Sequence, residues 1–213
     1  MIVAIDGPAG AGKGTLGRRL AAELGFAYLD TGLLYRAVGA KLLAAGVNDS
    51  EPEAATAIAA ALTPQDLRDP AALRGEIVGQ AASKAATIPG VRDALYAFQR
   101  QFATDPPGHA AGAILDGRDI GTVICPDADL KLFLTASPAA RARRRFEELQ
   151  RAGDGRIYPD ILMEVEERDH RDSARTTAPL KPAVDAVVID TTEMDAAAVF
   201  AVALGQVERL RQR

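Results

Sequence analysis

Nine residues near the start, Gly7-Pro8-Ala9-Gly10-Ala11-Gly12-Lys13-Gly14-Thr15, have the composition of a loop that wraps a phosphate. Glycines let successive backbone N–H groups turn inward, the start of a following helix adds partial positive charge, and a lysine at this spacing reaches the β- and γ-phosphate oxygens. In the general pattern Gly-x4-Gly-Lys-Ser/Thr the last slot carries the hydroxyl that takes magnesium. Here Gly14 fills that slot and the hydroxyl falls one residue later, so the loop's magnesium contact passes to Thr15 or is partly left to water and phosphate oxygens.

Three further segments carry charge where a second substrate could sit. Leu29-Asp30-Thr31-Gly32-Leu33-Leu34-Tyr35-Arg36 puts an arginine behind a Thr-Gly turn, which suits an anionic acceptor. Leu115-Asp116-Gly117-Arg118-Asp119-Ile120-Gly121-Thr122-Val123 ends an apolar run on Asp116, where an acid can hold the metal or its water, and follows it with a cation and a second acid. The third is Glu167-Arg168-Asp169-His170-Arg171-Asp172-Ser173-Ala174-Arg175. At 100° per residue Arg168, Arg171, Asp172 and Arg175 share a sector of about 100° that adjoins the apolar Ile161 and Val165. These charges are expected to face the protein or its cleft, provided the helix persists past Ser173.

A phosphate loop specifies a nucleotide and not a reaction. A GTPase of the kind that reads its base with Asn-Lys-x-Asp is excluded, because the only Asn is Asn48, followed by Asp49. A small kinase, an ATPase switch and a non-catalytic nucleotide binder remain open on the residues alone.

The elements that must position these groups alternate. Strands are expected at Ile2–Ile5, Phe26–Leu29, Ala113–Leu115, Leu130–Leu134 and Ala186–Ile189. Helices are expected at Lys13–Leu24, Tyr35–Ala45, from a Ser137-Pro138 cap to about Arg151, at Ile161–Arg171 and at Ala196–Arg211. That alternation predicts an α/β fold with a parallel sheet covered on both faces. The stretch from Val47 to about Pro107 breaks the rhythm. It is Ala-rich, has caps at Ser50-x-x-Glu53 and Thr63-Pro64, shows no strand run and reads as a helical insert, with turns at Pro89-Gly90 and Asp105-Pro106-Pro107-Gly108.

Composition narrows the partners. The chain has 213 residues and a net charge of −4, so no global basic field exists to hold nucleic acid. One cysteine, Cys125, excludes an internal disulfide framework, and two histidines, His109 and His170, argue against a His-rich metal site. Cys125 reads as buried and structural, His109 as exposed and His170 as a helix-surface residue. Met1 leads straight into Ile2-Val3-Ala4-Ile5 with no signal-like pattern, and no run of about 18 apolar residues occurs. A cytoplasmic protein with no membrane partner is expected. The 25 basic residues divide into 20 Arg and 5 Lys, which fits either genomic codon composition or repeated bidentate recognition of phosphate and carboxylate.

With these segments together the chain resembles the bacterial cytidylate kinases, a family of nucleoside monophosphate kinases, over nearly its whole length. The resemblance is strongest at residues 2–38, 113–135 and 164–191. Asp-Gly-Arg-Asp-Ile-Gly-Thr-Val and Arg-Asp-x-Arg-Asp carry it, since adenylate kinases would show Asp-Gly-Phe-Pro-Arg at Asp116–Asp119.

The resemblance implies a three-layer α/β/α fold with five parallel strands. It divides the chain into a core of residues 1–30, 109–140 and 176–213, an acceptor-binding insert of about 31–108, a lid of about 141–160 and a connecting helix of about 161–175. It implies transfer of the ATP γ-phosphoryl to CMP or dCMP with Mg2+, in pyrimidine nucleotide metabolism, by a monomer. Residues 7–15 would bind ATP, and Thr15 and Asp116 the metal. Arg36 and Arg118 would clamp the acceptor phosphate. Thr31, Arg92, Asp119 and Arg175 would read cytosine, and Arg168 and Asp172 would lie near the sugar. Arg141, Arg143, Arg144 and Arg145 would begin the lid, with Arg144 joining Lys13, Arg36 and Arg118 as catalytic groups. By position, Arg18, Arg19, Arg209, Arg211 and Arg213 fall to the codon reading. Many family members carry a small antiparallel sheet in the insert; the Pro-interrupted Thr63–Gly79 stretch predicts a trimmed, helical one here.

Overall fold

The structure, a computed structural model, describes residues 1–47 and 51–212. In chain order its elements are β1 (Ile2–Asp6), α1 (Lys13–Leu24), β2 (Ala27–Asp30), α2 (Thr31–Ala45), α3 (Pro52–Ala60), α4 (Glu76–Ala85), α5 (Pro89–Thr104), β3 (Ala113–Gly117), β4 (Leu130–Thr135), α6 (Pro138–Arg151), α7 (Tyr158–Ser173), β5 (Val187–Asp190) and α8 (Ala196–Arg211). The strands form one parallel sheet in the order β2-β3-β1-β4-β5.

Side-chain alternation along β1 explains its apolar run. Val3 and Ile5 point to one face, where Leu16 and Leu20 of α1 and Val199, Phe200, Ala203 and Val207 of α8 cover them. Ala4 points to the other, beneath Ala103 of α5, Leu115, Ile120, Ile124 and Cys125. A strand buried on both faces has no position for a polar side chain until it ends. The register sets the ends level: Asp6 pairs with Gly117 and Asp30 with Asp116, so three carboxylates arrive at one rim.

The insert has its own core, built from Leu34, Val38 and Leu42 of α2, Ala55 and Ala59 of α3, and Val91 and Leu95 of α5. Among its described residues it contains only helices and short 3-10 turns, at Pro64–Leu67, Ala72–Arg74 and Pro107–His109. Thr63 and Asp66 form a reciprocal cap on the first of these. α6 and α7 pair through Ala142, Leu149 and Ile161, with Phe146 edge-on to Tyr158 at 6.2 Å.

Several boundaries depart from the sequence reading. α2 begins at Thr31 and not Tyr35, because the Thr-Gly pair continues directly into the helix after Asp30. Pro89-Gly90 opens α5 instead of forming a turn, Pro89 taking the first helical position where its missing N–H costs nothing. α7 stops at Ser173, so Arg175 lies just beyond its end. Ser50, half of one expected cap, lies outside the described residues, and α3 starts at Pro52. Cys125 is buried, and His109 and His170 are exposed. No helix among the described residues is long and apolar enough to cross a membrane.

α2 and α4 approach so closely that Gly39 has no room for a side chain. A Cβ there would lie 2.7 Å from the Ala82 backbone nitrogen and 3.1 Å from the Val78 carbonyl oxygen. Gly39→Ala is expected to lower stability by about 1–3 kcal/mol despite the better helix propensity of alanine. Urea unfolding should show a lower midpoint with an unchanged slope.

Candidate active site

Between β1 and α1 the chain reverses around a cradle. Gly7, Gly10 and Gly12 all take positive φ, and Gly12 precedes the first turn of α1. Ala9 to Thr15 line a cavity of about 660 Å³ that also admits Arg36, Asp116, Arg118, Arg144 and Arg168. Pro8 is buried beneath the loop, its carbonyl accepting from Lys13 Nζ at 2.8 Å. Burial pushes the Lys13 ammonium well below the usual lysine range, and Arg118 and Arg168 push it the same way against the pull of Asp116.

Asp116, at the end of β3, is buried and accepts a hydrogen bond from the Tyr28 hydroxyl at 2.7 Å. Burial raises its carboxyl, and neighbouring Asp30 adds to the effect. Burial and the same two acids push the Tyr28 phenol well above its usual range, so it stays a donor. A Cβ on Gly14 would lie 3.5 Å from Asp116 Oδ2, so this acid abuts the start of α1. Thr15 is exposed in the cleft beside it. These are hard oxygen donors, and no set of three or more His, Cys, Asp or Glu side chains among the described residues could hold a metal. A cation there would take most of its ligands from phosphate and water, which suits magnesium.

The ends of β3 and α7 carry a dense cluster of charge. Arg118 donates from Nε to Asp172 Oδ2 at 2.8 Å and from NH1 to the Gly117 carbonyl at 3.2 Å. Asp172 also accepts from Arg175. Burial alone would raise the Asp172 carboxyl, but Arg118, Arg175 and Arg168 together hold it well below the carboxylate range. Arg92 pairs with Asp119, both buried, and its guanidinium lies 5.8 Å from the Tyr35 ring centre. Arg92, Asp119, Asp172 and Arg175 sit behind the cavity wall, and Arg118 joins the two groups. Thr31 is buried there too, and its hydroxyl donates to the Asp116 carbonyl at 2.7 Å, leaving only lone pairs for a ligand. Arg36 donates to the Leu73 and Gly75 carbonyls at 2.9 and 3.2 Å.

Arg168 lines the cavity, and its Nε, like that of Arg175, is buried without a partner. Burial and the repulsion of Arg118 and Arg36 lower it to about 10. It remains charged at neutral pH, with Arg118 and Arg36 opposing the pull of Asp172 and Glu76.

The arginines of α6 divide. Arg141 is a buried strut, donating to the Ala136 and Ala9 carbonyls at 2.9 and 3.2 Å and to both oxygens of Asp169. Arg144 ties α6 to the loops, donating to the Thr191 carbonyl, to Thr191 Oγ at 3.2 Å and to the Gly10 carbonyl at 3.4 Å. Arg143 faces the Tyr158 ring. Arg145 reaches across the cavity to Glu76 at 3.5 Å.

Sequence reasoning missed several of these partners. Asp6 is buried and accepts from the Ile120 and Gly121 backbone N–H groups at 2.8 and 2.7 Å, which fixes the turn carrying Arg118 and Asp119; burial raises its carboxyl to about 6. A lone acid ending an apolar strand was the available signal. Arg18 and Arg19 line the cavity, and Arg19 lies 3.9 Å over Phe200, so these two arginines are not interchangeable with surface lysines. The same holds for Arg211 over Phe26 at 5.6 Å.

The chain matches the family described as cytidylate kinase over residues 3–209. It is 59% identical over 204 residues to a cytidylate kinase from Paramagnetospirillum magneticum, spanning 96% of each chain. It is 54% identical over 211 residues to one from Azorhizobium caulinodans, spanning 99% of this chain and 100% of that one. In fold it is similar to a crystal structure of a shikimate kinase from Bacteroides thetaiotaomicron, with a TM-score of 0.51 at 13% identity over 100% and 99% of the two chains. An uncharacterized protein from Eubacterium ventriosum gives 0.55 at 13% identity over 98% of each. The phosphate loop at one wall of the cleft, the arginine cluster at the other and these matches lead to one conclusion: the chain belongs to the cytidylate kinase family.

Proposed function

We propose that this kinase transfers the γ-phosphoryl of ATP to CMP or dCMP, giving ADP and CDP or dCDP, as a cytoplasmic monomer. The observation that carries the reading is the single cleft in which Lys13 faces Arg36, Arg118 and Arg168. One anion on the loop and a second on the arginines would meet between them.

The acceptor phosphate is already anionic near neutral pH, so the residues need only align it and stabilise charge. Arg36 and Arg118 hold the acceptor phosphate so that one oxygen faces the γ-phosphorus. That oxygen forms the new bond as the bond to the β–γ bridging oxygen breaks, and the electron pair leaves with ADP. Lys13 and the loop amides balance charge on the donor phosphates. Magnesium, when bound, neutralises the β- and γ-oxygens, with Thr15 and Asp116 holding it or its water. The orphaned Nε of Arg168 supports a place at the phosphates in preference to the sugar. The bonds of Arg144 to backbone carbonyls support a role in bracing the loop, with Arg145 as the cation of the α6 wall nearer the ligand.

For the base, Asp119 can accept from the exocyclic amine of cytosine while Arg92 holds it in place, and Arg175 can donate to O2 or N3. The Thr31 hydroxyl offers a second acceptor. UMP lacks the amine and would leave a buried acceptor unmet. The insert of about 31–108 would close on the nucleoside and the α6–α7 hairpin, with the lid near 141–160, on ATP; closure excludes water that would otherwise hydrolyse ATP.

A panel of CMP, dCMP, UMP and AMP with ATP, each with and without Mg2+, tests the reading. CMP is expected over UMP by at least about 10-fold in catalytic efficiency, one hydrogen bond being worth about 1 kcal/mol or more. Equal rates with UMP would overturn the base assignment, and ADP release independent of CMP would overturn the kinase reading. Arg118→Ala should cut turnover by at least about 100-fold while ATP still binds by calorimetry. Asp172→Asn leaves Arg118 and Arg175 buried without their carboxylate and should cost about 3–5 kcal/mol at pH 7. Because the folded state lowers the Asp172 pKa, its stabilisation is full above the unfolded carboxylate range and fades as pH falls through it. The gap between wild type and variant should therefore narrow in acid unfolding below pH of about 4.

A further inference from the structure

One partly buried side chain beside Asp116 has no part in the mechanism above. Tyr28, in β2, donates its hydroxyl to Asp116 Oδ2 at 2.7 Å. No protein donor is bonded to Asp116 Oδ1 among the described residues. The Tyr28 ring packs against α1. A Cβ on Gly17 of α1 would lie only 2.6 Å from the ring edge, so the ring rests directly on the helix backbone, and the Arg18 guanidinium stands 5.9 Å from the ring centre. The hydroxyl is therefore a donor at a fixed point, anchored to the same helix that carries Lys13 and Thr15.

Asp116 needs such an anchor. It is buried and close to a second carboxylate, Asp30, whose charge repels it. A short side chain under that repulsion would rotate away unless a donor held one oxygen. We propose that Tyr28 is a positioning residue: by occupying Oδ2 it leaves Oδ1 as the oxygen that meets the metal or its water. The proposal rests on the reading of Asp116 as the carboxylate on the metal side of the cleft. Tyr28 itself touches neither substrate nor metal.

The test compares wild type, Tyr28→Phe and Asp116→Asn by calorimetric titration with ATP, once at saturating Mg2+ and once with Mg2+ removed by EDTA. The quantity read is the ratio of the two ATP affinities, which a general loss of packing would not change, since packing acts on both arms alike. Tyr28→Phe keeps the ring on Gly17 and should leave the EDTA affinity unaltered. The magnesium ratio should fall about 10-fold, the range found when an outer partner of a metal ligand is removed. Asp116→Asn should lower the ratio at least as far.

If Tyr28→Phe keeps the ratio within about threefold of wild type while Asp116→Asn loses it, Asp116 keeps its role and the positioning role of Tyr28 is overturned. An equal loss of ATP affinity in both arms for Tyr28→Phe also overturns it, because that is the mark of a purely structural side chain. If Asp116→Asn retains the wild-type ratio, the metal reading of Asp116 fails, and the proposal for Tyr28 fails with it.

Discussion

Four cations, Lys13, Arg36, Arg118 and Arg168, line one cleft, and their mutual repulsion is the constraint that the bonds around them answer. Like charges in a low-dielectric space repel strongly, and side chains on flexible stems would swing out to water if nothing held them. The structure restrains them with acceptors that cannot move. Lys13 rests on the Pro8 carbonyl, Arg36 on the Leu73 and Gly75 carbonyls, and Arg118 on Asp172. Each tie takes part of a cation's donor capacity and fixes where the charge sits, so the field in the cleft is held by the protein's own bonds.

Such restraint is possible only where backbone and carboxylates converge, and the parallel sheet supplies that place. Level registers between β1, β3 and β2 bring Asp6, Asp116 and Asp30 to the same rim. Asp6 then fastens the turn after β3 through two backbone N–H groups, so the loop bearing Arg118 and Asp119 is pinned to the strand that feeds the phosphate loop. Donor and acceptor sites are thereby built from adjacent strand ends. The insert and the α6–α7 pair stand apart with cores of their own. They meet through polar contacts, Arg145 with Glu76 and Arg171 with Gln80 and Ser83. Partly exposed polar contacts separate at small cost, so the walls can open without disturbing either core.

What was legible in the sequence was what is written locally. The phosphate loop, the five strands, the bounds of α1 and α8 and the Ser137 cap of α6 are each fixed by neighbours within a few residues. A helical insert was legible for the same reason, from prolines that no strand would hold. Less legible was whatever depended on distant partners. Asp172 and Arg118 lie 54 residues apart, Arg92 and Asp119 27, and Tyr28 and Asp116 88, and no spacing rule connects them. The same blindness misassigned Arg18 and Arg19 to codon composition. Nothing in their own segment reveals that α1 runs along the cleft beside α8. Boundaries slipped where a residue with a strong local habit met a stronger context: Thr31-Gly32 reads as a turn but continues as α2.

The excess of arginine over lysine can now be argued from bonds. Arg141 uses three nitrogens on four acceptors, two backbone carbonyls and both oxygens of Asp169, and so braces α6 against the phosphate loop and α7 at once. A lysine has all its donors on one nitrogen and cannot form the two-nitrogen contact that Arg141 makes with both oxygens of Asp169. Arg118 splits the same capacity differently. Nε and NH1 are spent on Asp172 and Gly117, and NH2 has no partner within the protein among the described residues. A guanidinium can thus be tethered at one edge and offered at the other, with its plane fixed by the tether. Codon composition can supply arginines, but it does not account for the particular bonds that fix Arg118 and Arg141 at the cleft.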